Sequence, residues 1–248
     1  MERAHNLFGR NIGAISPAQS KTLAGGRIAV FGLGGVGGIG AELLVRAGVG
    51  HLLVVDSDRF ETTNLNRQIH SEKKTMGKKK TAVFAHKALD IHPKLDLYVV
   101  DQRLGDANLG FFASVLKKFG PDLVIDTMDS APSRVMLARL CKKSRVPYVY
   151  AAAMGARGMV SVFSAKDNLE RILHLPSFGK PDSEIESALV HYPQCQSAWG
   201  PATNLVGALA ANAALNQVLK KQGSYPHAPD FWMVDAFGEK IVRTEKLS

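Results

Sequence analysis

What the chain lacks narrows it first. Its 248 residues include only two cysteines, Cys141 and Cys195. Two thiols exclude a disulfide framework and any four-cysteine zinc site. No eighteen consecutive apolar residues run without a charge or an amide, so no transmembrane helix is expected and a membrane is not an expected partner. The opening Met1-Glu2-Arg3-Ala4-His5-Asn6 has no apolar stretch of the kind that directs secretion, which makes the cytoplasm the expected compartment. Internal repeats and low-complexity tracts are absent too. What is present is ordinary globular composition, 46% hydrophobic and 21% charged, on a chain long enough to bury a sizeable core. Acidic residues are the scarcer sign, 22 against 31 basic, for a net charge of +9. That field favours acidic or polyanionic partners. Nucleic acid, an acidic protein and a nucleotide all satisfy it.

Short apolar runs alternate with helical patterns through the first half. Strands are predicted at Arg27–Phe31, His51–Val55, Leu95–Val100, Asp122–Asp126 and Pro147–Ala151. Helices are predicted between them at Gly35–Arg46, Lys79–Ile91, Asn108–Lys118 and Ser133–Ser144. Strands that are nearly all apolar and alternate with helices imply a parallel sheet covered on both faces. The expected class is therefore α/β, doubly wound, with a mostly parallel Rossmann-like sheet. After Gly155 the pattern changes. Gly158–Ser164 reads as a strand, Lys166–Tyr192 as a polar crossover or mobile loop, and Leu205–Lys221 as a buried helix. Phe231–Asp235 and Lys240–Thr244 flank a hairpin signal at Ala236-Phe237-Gly238-Glu239. The C-terminal half is expected to extend the same sheet with antiparallel strands. Residues 1–248 then form one domain, 1–155 the nucleotide-binding half and 156–248 the half that binds a carrier or substrate.

Gly32-Leu33-Gly34-Gly35-Val36-Gly37-Gly38 follows the first strand and opens a helix. Gly32, Gly34, Gly35 and Gly37 permit a tight turn and close approach of backbone to phosphate, and the helix N-terminus adds amide donors. Asp56 ends the next strand, where a carboxylate accepts hydrogen bonds from ribose hydroxyls. These features alone leave a dinucleotide and ATP both open. The segment beyond Asp56 favours ATP. Asp58, Asn64, Arg67 and Gln68 crowd one stretch, and an arginine fork with amide donors suits the β- and γ-phosphates. Lys80 follows thirteen residues after Arg67, at a helix start, where it can reach an α-phosphate. Asp129 lies just past the fourth strand, at the carboxyl edge where ligands bind, and can hold Mg²⁺ between phosphates.

Taken in this order, the set resembles the ThiF/MoeB/HesA family, relatives of the ubiquitin-activating enzymes, over roughly residues 8 to 245. Its pattern is a glycine loop, Asp-x-Asp, Asn-x-x-Arg-Gln, a lysine, then an aspartate with a downstream arginine. Here these are Gly32 to Gly37, Asp56 with Asp58, Asn64 with Arg67 and Gln68, Lys80, and Asp129 with Arg134. The resemblance implies adenylation of a carboxylate by ATP and Mg²⁺, yielding an acyl adenylate and pyrophosphate. It also implies that Arg10 reaches the ATP of a partner subunit, making the active unit a homodimer. Cys195 resembles the family thiol that can take up the activated acyl group or sulfur. Many members carry two Cys-x-x-Cys pairs for zinc; this chain has none, so no zinc is expected.

The resemblance leaves several functions to weigh. Activation of the C-terminal glycine of a small ubiquitin-like sulfur-carrier protein, of thiamine or molybdopterin type, is the first. The terminal hairpin supports it, and acidic carriers suit the +9 charge. A tRNA threonylcarbamoyl-adenosine dehydratase is the second, with a basic groove for tRNA; Asn66-Arg67-Gln68-Ile69-His70 and the missing zinc cysteines resemble that branch. An NAD-dependent oxidoreductase is the third. It explains the glycine loop but leaves Asn64, Arg67 and Lys80 without purpose. Cys141 sits in an apolar helical pattern and reads as core. Trp199 reads as a core anchor, and His70 and His86 as helix-face or surface residues without a role.

Overall fold

A computed structural model describes residues 7–193, 197–221 and 223–247. Five strands, β1 (Arg27–Phe31), β2 (His51–Val55), β3 (Asp96–Val100), β4 (Leu123–Asp126) and β5 (Tyr148–Met154), pair in parallel. Three more, β6 (Arg157–Phe163), β7 (Asp230–Asp235) and β8 (Val242–Lys246), continue the sheet antiparallel from β5. The spatial order is β3-β2-β1-β4-β5-β6-β7-β8. Winding reverses between β1 and β4, the switch point where such sheets open a crevice at their carboxyl ends.

Helices cover both faces. In chain order they are α1 (Pro17–Gly25), α2 (Gly37–Ala47), α3 (Lys80–Ile91), α4 (Leu109–Phe119) and α5 (Ala131–Ser144), then α6 (Leu169–Ile172), α7 (Ile185–Ala188) and α8 (Gly200–Val218). The strands feed the two faces alternately. Ile28 and Val30 join Leu44 of α2, Phe84 of α3 and Val206 of α8 in one core. Ala29 and Phe31 join Phe112 of α4 and Val135 of α5 in the other. A strand buried on both sides must be apolar at every position, which is why the pattern was legible. β3 is the exception, because it is the sheet edge and leaves Tyr98 and Val99 exposed.

Four elements depart from expectation. α1 was not predicted, though Ser16 and Gln19 form a reciprocal capping box with Pro17 in the first turn. α8 begins at Gly200, five residues before the predicted start, because Pro201 is preorganised for a first helical turn. The hairpin's last strand is Val242–Lys246 rather than Lys240–Thr244. The 166–192 stretch is not a loose loop. Leu169, Leu175, Ile185 and Leu189 are buried against the α5 side of the sheet. Arg139 of α5 holds it with bonds to Glu170 at 2.8 and 2.7 Å and to Asp182 at 2.7 Å.

Two contacts fix α2, and with it everything that hangs on its N-terminus. The first is steric. α2 and α8 cross so closely that a Cβ on Gly207 would stand 2.3 Å from the Val36 carbonyl oxygen and 2.4 Å from Ile39 Cγ2. The second is polar. His70 Nε2 lies 2.8 Å from Glu42 Oε2, and Arg46 Nε donates to Glu42 Oε1 at 2.7 Å. The His70 ring also packs edge-on against Phe84. His70 is therefore a buried tether between the loop after β2 and two helices, which corrects its reading as a surface residue; His86 is exposed as expected.

Burial depresses the His70 pKa, against the pull of Glu42. Burial works to raise Glu42, but the hydrogen bonds from His70 and Arg46 hold its carboxyl below the ordinary value. Both shifts favour the arrangement in which the imidazole N–H donates to the Glu42 carboxylate.

Gly207→Ala is expected to lower stability by ~1–3 kcal/mol through overpacking, read from the midpoint of urea unfolding; an unchanged midpoint would mean that α2 and α8 have room to separate. His70 generates a second expectation. The unfolded chain protonates this imidazole near pH ~6.5, and the folded chain only at lower pH. The unfolded state then binds more protons, so stability falls as pH drops below that value, by at most ~1.4 kcal/mol per unit. Denaturation at pH 7.5 and 5.5 should show a shallower fall in His70→Gln than in the wild type. Equal slopes would remove His70 from the linkage.

Candidate functional site

The chain leaves β1 through Gly32, whose φ of +95° only glycine adopts without strain. Five residues later, at Gly37, α2 starts. Gly37 makes this possible, because a Cβ there would lie 2.0 Å from the Gly32 carbonyl oxygen and 2.3 Å from Thr127 Oγ1. Thr127 in turn donates to the carbonyls of Phe31 and Gly32 at 2.9 and 3.0 Å, lacing the end of β4 to the glycine loop. The result is a helix N-terminus aimed into a cleft of about 690 Å³ at the carboxyl edge of the parallel strands. Gly32, Gly34 and Gly35 line it.

Asp56, at the end of β2, is fastened to that loop. Its Oδ2 accepts the Leu33 N–H at 2.6 Å and its Oδ1 accepts the Asp58 N–H at 2.8 Å. Burial pushes its carboxyl upward, opposed chiefly by Lys80. Lys80 heads α3 with its side chain 7% exposed, and its Nζ lies 2.8 Å from Asp58 Oδ2. Asp58 reaches outward, 59% exposed. All three line the cleft.

The arginine segment lines the cleft beside the glycine loop. Arg67 Nη1 donates to the Thr63 carbonyl and to Asn66 Oδ1, both at 2.8 Å. Among the described residues no carboxylate pairs with it, although it lines the cleft. Gln68 is buried beside it, and its Oε1 has no partner among the described residues. Asn64 differs from expectation. It is buried away from the cleft lining, and its Oδ1 accepts the Glu61 N–H at 3.1 Å to close a turn.

Past β4, Asp129 lines the cleft and is exposed. It is not the cap of α5: Ser130 is, its hydroxyl accepting the Ser133 N–H at 3.5 Å. Below lies a buried pair. Arg134 Nη1 stands 3.3 Å from Asp126 Oδ2, its Nη2 donates to the Ala151 carbonyl at 3.0 Å, and its guanidinium stacks over Tyr150 at 4.8 Å. Burial raises the Asp126 carboxyl and Arg134 pulls it back. Arg134 entered the sequence reading only through the family pattern; its placement under the cleft gives it a physical reason. Thr127, Arg103 and Arg157 were missed. Arg103 follows β3 at the carboxyl edge, so the rule that ligands bind there was the available signal.

Arg10 is not brought to this cleft. Its neighbours anchor at the far ends of the helices that start there. Asn11 Nδ2 donates to the carbonyl of Ala47, the last residue of α2, at 3.3 Å. Phe8 packs edge-on against His92, just past α3, at 5.0 Å. Those helices are roughly 16–18 Å long at 1.5 Å per residue. Cys195 lies outside the described residues. Tyr192 lines the cleft, and Trp199 is half-exposed beside Phe237, so it is not the core anchor expected. Cys141 is core, its thiol pushed far up by burial. Among the described residues no helix is long and apolar enough to cross a membrane.

Comparison with known proteins agrees with this geometry. A family model described as the ThiF family matches residues 8–248. The tRNA threonylcarbamoyladenosine dehydratase of Bacillus subtilis is 34% identical over 149 residues, covering 60% of this chain and 56% of the relative. The molybdopterin-synthase adenylyltransferase of Haemophilus influenzae is 28% identical over 202 residues, 80% of this chain and 76% of the relative. Against the dehydratases, then, the matching region spans about half of the relative's length. Among solved structures, the E. coli tRNA N6-threonylcarbamoyladenosine dehydratase in complex with AMP superposes with a TM-score of 0.69. It is 26% identical, with 86% of this chain and 94% of that one covered. On the extent of the family match and on the shared sheet, the chain belongs to the ThiF family.

Proposed function

We propose that this chain is an ATP-dependent adenylyltransferase that activates the C-terminal glycine carboxylate of a small ubiquitin-like sulfur-carrier protein. The observation that carries the reading is the lining of one cleft. The glycine loop, Asp56, Arg67, Lys80 and Asp129 meet around a helix N-terminus, and a dinucleotide leaves the last three without work. Loop amides and the α2 dipole hold phosphate oxygens. Asp56 keeps lone pairs for ribose hydroxyls beyond its two backbone bonds. Arg67 and Lys80 neutralise charge as the acyl carboxylate attacks the α-phosphorus and pyrophosphate departs. The product is an acyl adenylate, and no covalent step on the protein is needed.

The donors fit Mg²⁺ shared with phosphates. Two exposed carboxylates line the cleft, Asp58 paired to Lys80 and Asp129 without an ion pair among the described residues, and no three His, Cys, Asp or Glu groups converge among those residues. Asp129 would hold the ion, which supplies charge neutralisation between phosphates. No zinc site belongs to this reading. Residues 1–155 carry the nucleotide and 156–248 receive the carrier, in a single cytoplasmic domain. Arg10 serves the cleft of a second copy, so the active unit is a homodimer. Cys195 acts after adenylation, in a later transfer of the acyl group or sulfur.

A second reading is supported by the 34% identity to a tRNA threonylcarbamoyladenosine dehydratase. There the adenylated group is the carboxylate of the modified nucleoside, and the +9 charge meets RNA backbone. ATP–pyrophosphate exchange stimulated by a carrier ending in glycine, or by tRNA, separates the two. Calorimetric preference for NAD over ATP with Mg²⁺ would sink both.

Asp129→Ala is expected to reduce pyrophosphate exchange by about 10²–10³-fold with an unchanged unfolding midpoint, since an exposed carboxylate adds little packing. Near-wild-type exchange would leave Asp129 without a role. Mixing inactive Arg10→Ala with inactive Lys80→Ala subunits should restore part of the activity, because one composite site is then intact. With subunit exchange verified by mass, no recovery would mean that each site comes from one chain.

A further inference from the structure

Asn66 is exposed, yet both ends of its amide are engaged. Its Oδ1 accepts from Arg67 Nη1 at 2.8 Å, and its Nδ2 donates to the Ala198 carbonyl at 3.0 Å. Ala198 belongs to the short stretch that leads into α8. That stretch is bonded on its other side to the turn between β5 and β6. The Trp199 N–H donates to the Gly155 carbonyl at 2.9 Å, and the Gly155 N–H to the Ser197 carbonyl at 2.7 Å. A second amide reaches back from the helix: Asn204 Nδ2 donates to the Arg67 carbonyl at 3.0 Å and to the Gly200 carbonyl at 2.7 Å. The arginine segment and the entry to α8 are thus stitched by two side chains pointing in opposite directions.

The chemistry of Arg67 makes the first stitch consequential. A guanidinium presents five donors in one plane. Here the Thr63 carbonyl and Asn66 Oδ1 share Nη1, which fixes that plane and leaves the other donors of a long side chain for the cleft. We infer that Asn66 is a positioning residue with two separable arms. Oδ1 preorganises Arg67 for phosphate, and Nδ2 couples the arginine segment to residues 197–199 and the Gly155 turn. The inference rests on reading the cleft as a triphosphate site. It adds that nucleotide bound at Arg67 is felt at Gly155 and Trp199, which belong to the opposite, antiparallel half of the sheet and to the approach to α8.

Two variants of the full chain separate the arms. Asn66→Asp keeps an acceptor for Arg67 in the same place but cannot donate to Ala198. Asn66→Ala loses both. Because Asn66 is exposed, neither removes core packing. In pyrophosphate exchange, Asn66→Ala is expected to raise the KM for ATP about tenfold, the scale of one hydrogen bond to a charged group, with kcat within about twofold. Asn66→Asp should return the KM to within about threefold of wild type. Amide hydrogen exchange is the second readout. ATP should slow exchange at Gly155 and Trp199 in the wild type, and both variants should lose that slowing. A wild-type KM in Asn66→Ala, or failure of Asn66→Asp to rescue it, overturns the Arg67 arm. ATP binding seen by calorimetry with no change at Gly155 and Trp199 overturns the coupling. Absence of ATP binding in the wild type fails the triphosphate reading itself, and calorimetry on that protein reports it separately.

Discussion

The site depends on how closely α2 approaches the end of β1. A side chain at Gly37 would overlap the Gly32 carbonyl and the Thr127 hydroxyl, so the helix could not begin where it does. Moved outward by even a Cβ, its first amides would no longer face the cleft, and the Asp56 carboxylate would lose the Leu33 N–H that registers β2 against the loop. Thr127 extends the constraint sideways, since its hydroxyl binds the carbonyls of Phe31 and Gly32. Three strands are therefore locked at their carboxyl ends by contacts of a few atoms. Gly207 and the His70–Glu42 pair then hold the rest of α2 from the other side.

Around this rigid floor, charges fall into two kinds. Asp126 with Arg134 is buried under the cleft, and Lys80 is buried with Asp58 reaching out. Buried pairs add little net stability, because desolvation offsets their attraction, but losing one partner leaves a charge stranded. Their effect here is geometric: they fix the places of Tyr150 and Ala151 within β5 and of the first turn of α3. Arg67 and Asp129 are of the other kind, lining the cleft without an ion-pair partner among the described residues. A site that binds a charged ligand needs both, a preorganised frame and unneutralised groups facing inward.

Most of this was legible because its physical causes are local. Strands buried on both faces must be apolar throughout, so β1, β2, β4 and β5 were found within about three residues. A glycine loop between strand and helix has one workable geometry, and Asp56, Arg67 and Lys80 line one cleft with it. What departed from the pattern depended on side-chain partners, near or distant, that periodicity does not show. Asn64 looks like a ligand beside Arg67, but its amide closes a local turn instead. His70 has no periodicity to mark it as buried; Glu42, twenty-eight residues away, makes it so. The 166–192 stretch is polar enough to read as loose, but Arg139 and buried apolar side chains such as Leu169 and Ile185 hold it down. α1 was the avoidable omission, since Ser-Pro-x-Gln is a capping signature visible in the chain.

Arg10 shows what topology can decide where spacing cannot. In a parallel sheet every strand enters at one edge and leaves at the other, and the cleft sits where strands leave. Residues shortly before β1, packed near where β1 enters, are on the wrong side of their own sheet. Phe8 and Asn11 confirm the placement by docking on the trailing ends of α3 and α2. A cation there cannot reach the glycine loop of its own chain without crossing the thickness of the domain. Strand direction thus separates Arg10 from the cleft of its own chain, and any role for it on a nucleotide belongs to the proposed second copy.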